Sequence, residues 1–207
     1  MGNGYMSEKQ LRKYPHAHGL IFDLDGTIAD TMPLHFRAWR FALESYDINF
    51  SRREFYAYAG MPTHVIITKL QQKHHRPVPE HEVMRCKDDY FLRSLDEIEI
   101  INPVFSVVTE WYGSVPLGIG TGGRRAIVDR TIDVLGIRKY FESIITVEDV
   151  RNPKPHPDTF IQCAQKMGVE PRFCQVFEDG DTGLQAARDA GMYATDVRPF
   201  INSGRRK

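Results

Sequence analysis

The chain has 207 residues, of which 27 are basic and 27 are acidic, so its formal net charge is zero. It therefore lacks the excess basic charge of a nucleic-acid binder, and no apolar run approaches the roughly 18 residues of a membrane span. We expect a monomer whose partner is a small molecule, with neither nucleic acid nor a membrane involved. The polar residues 1–17 have no signal-peptide core, which favours a cytoplasmic protein with a loose N-terminal lead.

The first predicted element is a buried strand that ends in carboxylates, in the stretch GLIFDLDGTIAD over residues 19–30. Leu20, Ile21 and Phe22 are typical of a strand that is buried on both faces. Asp23 and Asp25 follow it, and in an extended chain their side chains leave the same face with the Cα atoms about 7 Å apart. Because crowded carboxylates at the end of a buried strand need a compensating charge, this strand end indicates a site.

Residues 33–103 lack any buried-strand run and are rich in helix formers and charge, as in EHEVMRCKDDYFLRSLDE. We predict that they form a helical cap, inserted after the first strand and standing over the carboxyl ends of the strands as a lid. The core domain would then comprise residues 18–32 and 104–200, and residues 201–207 would form a C-terminal tail.

Four later apolar runs predict further strands, and helix-like stretches separate them. The runs are VPLGIGT (115–121), ESIITVED (142–149), CQVFED (174–179) and MYATDV (192–197). Val128, Ile132 and Leu135 recur at helical spacing before Gly136, a glycine suited to a helix C-cap. Alternating strands and helices predict an α/β fold with a doubly wound, mostly parallel sheet of Rossmann-like type.

The predicted strand ends carry groups suited to magnesium or phosphate. After Asp23 and Asp25 come Thr121 at the second strand, Lys154 beyond the third, and Glu178 with Asp179 at the fourth. Each signal alone has an ordinary interpretation as a turn, a helix N-cap or a solvated loop residue. Because ligands of open α/β sheets bind where strands end, four such signals in strand order indicate one site.

DLDGT on the first strand, followed in order by Thr121, Lys154 and the pair ED, resembles the four motifs of the haloacid dehalogenase superfamily. DTMPLHFRAW, NPKPHPDTF and FEDGDTGLQAARDAG resemble its β-phosphoglucomutase-like branch, whose helical cap is inserted after the first motif. The resemblance covers about residues 18–198. It implies a phosphoric monoester hydrolase, most similar to the sugar-phosphate phosphatases of that branch.

The resemblance also implies the role of each core residue. Asp23 would be the nucleophile that forms an aspartyl phosphate, and Asp25 the general acid and base. Thr121, Gly122 and Lys154 would bind the phosphate. The cofactor would be Mg²⁺, held by Asp23, the backbone carbonyl of Asp25, Glu178 and Asp179.

In the cap, the resemblance places His35 at the entrance and aligns Lys87 with a lysine that binds the sugar phosphate, although both could be ordinary surface residues. Phosphatases of this superfamily usually carry Thr at the position of Thr27, where the mutases of this branch carry Val. Thr63 and His64 stand where those mutases carry an arginine for a second phosphate.

We therefore predict a Mg²⁺-dependent phosphatase that acts on a small phosphorylated metabolite such as a hexose phosphate. One alternative is a sugar phosphomutase of the same fold. A second alternative, from another functional class, is a phospho-accepting signalling module of receiver type, which also uses Asp, Mg²⁺, Thr and Lys.

Overall fold

Five short strands form one parallel sheet in the computed structural model, which describes residues 10–61 and 63–201. They are β1 (Gly19–Phe22), β2 (Leu117–Gly120), β3 (Ser143–Ile145), β4 (Cys174–Glu178) and β5 (Tyr193–Asp196). Their order in the sheet is β3-β2-β1-β4-β5, and every neighbouring pair is parallel. The predicted α/β fold with a parallel sheet is confirmed, and β1 lies at the centre of the sheet.

In the described part of the chain, four helices follow β1 and form a cap, with α1 at Met32–Glu44, α2 at Arg52–Ala57, α3 at Thr63–His74 and α4 at Glu80–Arg93. They enclose an apolar cluster of their own that includes Trp39, Phe50 and Leu70. A second cluster joins α1 and α4 to Ile127 of the core. Cap and core are therefore in direct apolar contact.

Five of the helices between residues 10 and 201 belong to the core, at Asn102–Trp111 (α5), Arg125–Val134 (α6), Asp158–Lys166 (α7), Asp181–Asp189 (α8) and Arg198–Ile201 (α9). Helices α5 and α6 pack on the sheet face that carries Leu20 and Phe22, and α7 and α8 pack on the face that carries Ile21. Successive strand residues point to opposite faces, so β1 is buried on both sides. Among the described residues, no helix is both long and apolar enough to cross a membrane.

The two chain segments that connect core and cap are hydrogen-bonded to each other. The Asp30 amide donates to the Glu99 carbonyl over 2.8 Å, and the Ile101 amide donates to the Ile28 carbonyl over 2.7 Å. Helix α5 begins directly after this pairing and contributes Val104 to the core cluster. Residues 102 and 103, predicted at the end of the cap, are thus the first turn of a core helix.

The described part of the N-terminal lead packs on the core, unlike the loose lead expected from its polarity. Leu11 and Ala17 are buried in the core cluster, and the Tyr14 amide donates to Gln175 Oε1 over 2.7 Å. Gln175 Nε2 also donates to the Arg12 carbonyl over 3.0 Å, so buried apolar side chains and hydrogen bonds to Gln175 hold this segment in place. Residues 1–9 and most of the predicted C-terminal tail, 202–207, lie outside the described residues.

A capping box begins α2 at Ser51. Ser51 Oγ accepts from the Glu54 amide over 3.3 Å, and the Glu54 carboxylate accepts from the Ser51 amide over 3.1 Å. The hydrogen bonds from Lys73 and Ser51 lower the pKa of Glu54 to about 2. Since this value lies below that of an unfolded glutamate, Glu54 stabilises the fold above about pH 4.3, and its contribution is lost as the pH falls towards 2.

We expect Ser51→Ala to lower the free energy of unfolding by about 1 kcal/mol, because the Glu54 amide loses its acceptor at the helix start. Urea denaturation at pH 7 measures the change. Ser114→Ala is the matched control, because Ser114 is exposed and begins no helix. Equal stabilities of the two variants would contradict a stabilising role for the capping box.

Candidate active site

A cavity of about 220 Å³ lies between the carboxyl ends of the strands and the cap. The core residues predicted for the site all line it, namely Asp23, Asp25, Thr121, Gly122, Lys154, Glu178 and Asp179. The two predicted cap residues, His35 on α1 and Lys87 on α4, line the same cavity. The structure thus brings all the sequence-predicted residues to one cavity, and their chemical roles stay predictions.

Lys154 joins two of the buried carboxylates. Its Nζ donates to Asp23 Oδ1 over 2.8 Å and to Glu178 Oε2 over 3.1 Å, and less than a tenth of each of the three side chains is exposed. Burial alone would lower the pKa of Lys154, but the charges of Asp23 and Glu178 outweigh it and raise the pKa above its usual value. Lys154 is therefore a fixed positive charge in the floor of the cavity.

The carboxylates around Lys154 carry more negative charge than one lysine can neutralise. Burial raises the pKa of Asp23, and burial together with the charge of Asp23 raises the pKa of Glu178 well above its usual value. The same two causes raise the pKa of Asp179 to about 7. A further cation among these groups would favour their ionised forms.

The donor set fits a hard divalent cation. Asp23, Glu178 and Asp179 each offer a carboxylate oxygen, and the three oxygens lie within 4.8 Å of one another. Oxygen-only ligands suit Mg²⁺, which also keeps several water molecules in its coordination shell. The predicted fourth ligand, the backbone carbonyl of Asp25, belongs to the turn that follows Asp23.

Two glycines allow the chain to approach these carboxylates closely. Gly26 has φ +89°, and a Cβ there would lie 2.4 Å from Asp179 Oδ2. A Cβ at Gly183 would lie 2.3 Å from the carboxyl carbon of Glu178. The Thr27 hydroxyl donates to Asp179 Oδ1 over 3.0 Å, so the turn after β1 also orients the carboxylate that follows β4.

Asp25 has a different environment from Asp23, although only one residue separates them. Its Oδ1 accepts from the Thr31 hydroxyl over 2.7 Å and lies 3.2 Å from His35 Nε2. Burial alone would raise the pKa of Asp25, but His35, Thr31 and Lys87 outweigh it and hold the pKa below its usual value. Neighbouring carboxylates with opposite pKa shifts are suited to different chemical roles.

The turn after β2 offers donors to an anion. Thr121 Oγ1 accepts from the Gly123 amide over 3.0 Å, which leaves the hydroxyl hydrogen available for a phosphate oxygen. A Cβ at Gly122 would meet nothing within 4 Å, so the Gly122 backbone faces open space on the cavity wall. Helix α6 begins directly after this turn, at Arg125, and the positive end of its helix dipole would also attract an anion.

Sequence reasoning missed two charged residues on the cavity wall. Arg124 follows the TGG turn at the end of β2, and the strand-end rule that selected Thr121 could have found it. Asp88 lies beside Lys87 on α4, and no motif indicated it. Of the pair expected in place of a mutase arginine, Thr63 lines the cavity, whereas His64 is exposed at the start of α3.

Comparisons with known proteins agree on one family. A family model described as haloacid dehalogenase-like hydrolase matches residues 20–197. The chain is 43% identical over 187 residues to the fructose-1-phosphate phosphatase YqaB of Escherichia coli K12, an alignment that covers 89% of this chain and 98% of the relative.

Solved structures show the same fold. CbbY from Rhodobacter sphaeroides in complex with phosphate has a TM-score of 0.78 at 23% identity, covering 86% of this chain and 84% of that one. The β-phosphoglucomutase of Clostridium difficile has a TM-score of 0.75 at 25% identity, covering 87% and 84%.

We expect Mg²⁺ at about ten times its Kd to raise the melting temperature by about 3–6 °C, because the ion binds only the folded carboxylate cluster. Asp179→Asn removes one donor and one negative charge, so most of this shift should disappear. Differential scanning fluorimetry with and without MgCl₂ measures the shift.

Asp181→Asn is the control, because Asp181 lies two residues away but pairs with Arg198 at the surface. This variant should retain the full Mg²⁺ shift. An undiminished shift in Asp179→Asn would place the ion elsewhere.

Proposed function

The chain belongs to the haloacid dehalogenase-like hydrolase family, and we propose that it is a Mg²⁺-dependent phosphatase that hydrolyses a sugar monophosphate through an aspartyl phosphate on Asp23. Membership confirms the resemblance predicted from the motifs and the prediction of a hydrolytic enzyme. The observation that carries the proposal is the buried contact of Asp23 with Lys154, beside two further carboxylates and below a cap.

The substrate class is supported by a relative and by the shape of the cavity. YqaB, with 43% identity, is named for its action on fructose 1-phosphate. The core side of the cavity carries the donors for a phosphate, whereas the cap side is lined by larger and mainly apolar side chains such as Trp39, Phe55 and Tyr58. A hexose phosphate would place its phosphate against the core and its sugar under the cap.

Charge repulsion is the main obstacle to this reaction. A carboxylate that approaches a phosphate dianion meets two like charges, each costing about 4 kcal/mol at 4 Å and an effective dielectric of 20. Lys154 offsets part of this cost from its fixed position between Asp23 and Glu178. When bound by Asp23, Glu178, Asp179 and the Asp25 carbonyl, Mg²⁺ supplies the remaining neutralisation.

In the first step, a carboxylate oxygen of Asp23 forms a bond to phosphorus, and the bond from phosphorus to the sugar oxygen breaks. Asp25 gives to that leaving oxygen the proton that it accepted from water in the second step of the preceding turnover. The Thr121 hydroxyl and the Gly122 amide donate to the phosphoryl oxygens and hold them in line. The products of this step are the free sugar and an aspartyl phosphate.

In the second step, water attacks the phosphorus of the aspartyl phosphate, and the Asp25 carboxylate accepts the proton of that water. Inorganic phosphate leaves, and the Asp23 carboxylate is restored. The hydrogen bonds to Thr31 and His35, which hold the pKa of Asp25 low, stabilise the ionised form that this step needs. The environment of Asp25 thus favours hydrolysis of the intermediate.

Thr27 supports a phosphatase over a mutase. Its hydroxyl orients Asp179, a proposed metal ligand, through a 3.0 Å hydrogen bond that a valine could not form. A mutase must protect its phosphoenzyme from water and hold a second phosphate. Thr63, at the position of the expected second-phosphate residue, offers no positive charge.

We expect Asp23→Asn to lower kcat by at least about 10³-fold, because the amide removes the nucleophile. Asp25→Asn should lower kcat by about 10²–10⁴-fold through the loss of proton transfer. The two variants should differ in Mg²⁺ binding, since the proposed ligand at Asp25 is the backbone carbonyl, which the substitution retains.

Steady-state kinetics and the thermal shift with MgCl₂ together separate these roles. Asp25→Asn should keep the Mg²⁺ shift, and Asp23→Asn should lose much of it. A tenth of the wild-type rate in Asp23→Asn would contradict the aspartyl-phosphate mechanism.

We expect a panel of hexose and pentose monophosphates to release inorganic phosphate in step with substrate consumption, and only when Mg²⁺ is present. Phosphate release is measured colorimetrically, and isomerised sugar phosphate is measured by NMR. Conversion of β-glucose 1-phosphate to glucose 6-phosphate that depends on a bisphosphate primer and outruns phosphate release would instead identify a mutase.

A further inference from the structure

Three charged side chains form a connected group on the cavity wall. Asp88 Oδ1 accepts from Lys87 Nζ over 2.9 Å, and Asp88 Oδ2 accepts from Arg124 Nη1 over 2.6 Å. Asp88 and Lys87 are largely buried, with 15% and 12% of their side chains exposed. Both carboxylate oxygens of Asp88 are therefore committed to cations.

The group spans the boundary between cap and core. Lys87 and Asp88 belong to α4 of the cap, and Arg124 directly precedes α6 of the core. All three line the same cavity as Asp23 and Lys154. If the phosphate binds against the core as proposed, Lys87 and Asp88 line the cap side, where the sugar end of the substrate would lie.

Pairing leaves this part of the cavity with little free positive charge. The negative charge of Asp88 offsets one of the two positive charges on Lys87 and Arg124. Glu148, whose Oε1 lies 3.7 Å from Arg124 Nε, offsets the other. A second phosphate dianion would have to compete with Asp88 for Lys87 and Arg124, and it would meet the negative charge of Asp88. A neutral polyol meets no such repulsion, and its hydroxyl groups can donate to Asp88.

We propose that Asp88 is a specificity-determining residue that selects sugar monophosphates over sugar bisphosphates by occupying Lys87 and Arg124. The inference rests on the proposed phosphatase function and adds to it the charge of the distal end of the substrate. The selection acts through the negative charge of Asp88, because a phosphorylated distal end of the substrate is negatively charged and an unphosphorylated one is neutral.

The size of the cavity does not exclude a sugar bisphosphate. Asp88 and Arg124 also line a second cavity of about 290 Å³, which continues the wall outward along α4. His81 and Arg85 line it as well, together with the exposed Asp89, so an added phosphate would find room and two donors there. With Asp88 neutral, the same volume would accept a second phosphate.

The test substitution is Asp88→Asn, which keeps the shape of the side chain and removes its charge. We expect the ratio of kcat/KM for fructose 1,6-bisphosphate to kcat/KM for fructose 1-phosphate to rise by about tenfold, mainly through a lower KM for the bisphosphate. Glu80→Gln is the matched control, since it also removes one negative charge from α4. Glu80 is exposed and lines neither of the two cavities.

A second variant tests the same inference in the opposite direction. Arg124→Gln removes one of the two cations, and we expect it to lower the same ratio. In the double variant with Asp88→Asn, most of the gain should be lost, because Arg124 is one of the cations that Asp88→Asn releases. Calorimetric titration of fructose 1,6-bisphosphate into proteins that also carry Asp23→Asn measures binding without turnover.

The outcomes separate a role in specificity from a structural role. If Asp88 only holds the cap against the core, Asp88→Asn lowers kcat/KM for both substrates alike and leaves the ratio unchanged, which would overturn the inference. Glu80→Gln should leave both rates and the ratio at wild-type values. An equal rise of the ratio in Glu80→Gln would also overturn it, because general surface charge would then suffice.

Failure of the proposed phosphatase function has a different signature. In that case, wild-type protein with Mg²⁺ would release no phosphate from fructose 1-phosphate or from a small aryl phosphate. A wild-type protein that hydrolyses monophosphates, with a ratio that Asp88→Asn does not change, would refute the role of Asp88 alone.

Discussion

The two hydrogen bonds from Lys154 to Asp23 and Glu178 are the interaction on which the rest of the site depends. Strands β1 and β4 are paired with Phe22 opposite Phe177, so their next residues, Asp23 and Glu178, must end side by side. Two carboxylates without water would destabilise the fold by several kcal/mol each unless a buried cation compensates them. The loop after β3 provides that cation. The contact of Lys154 with Asp23 and Glu178 thus stabilises the folded sheet and also holds the site residues together.

Cap and core carry different parts of the recognition of a substrate. The core holds the proposed phosphate and metal ligands on strand ends, on the turns beside them or, for Lys154, on the loop after β3. The cap contributes the larger apolar wall and the charged residues of α4. Asp88 of the cap pairs with Arg124 of the core, so the proposed selection between substrates acts at the boundary of the two.

The sequence predicted the sheet and the core of the site because both follow from local patterns. Strands β1 to β4 are short and largely apolar, and Thr121 and Glu178 lie at the ends of β2 and β4, so parallel pairing brings them together. The contact between Asp88 and Arg124 joins residues 36 positions apart on two bodies, and its existence depends on how the cap is oriented. The packing of Leu11 also escaped prediction, since one apolar residue in a polar segment has no periodicity.

The pairing of the two connecting segments makes the cap an exchangeable module. The cap begins after Asp30 and ends before Glu99, and these two residues are joined by a 2.8 Å hydrogen bond. The inserted segment is therefore connected to the core in the way that a loop is connected to the two strands of a hairpin. Paired segments of this kind tolerate insertions of different length, because the two ends of the insertion are already held at a fixed separation. Protein engineering can therefore graft a foreign cap, or a short turn, between these positions and retain the strand ends beneath, creating new substrate ranges on one reaction centre.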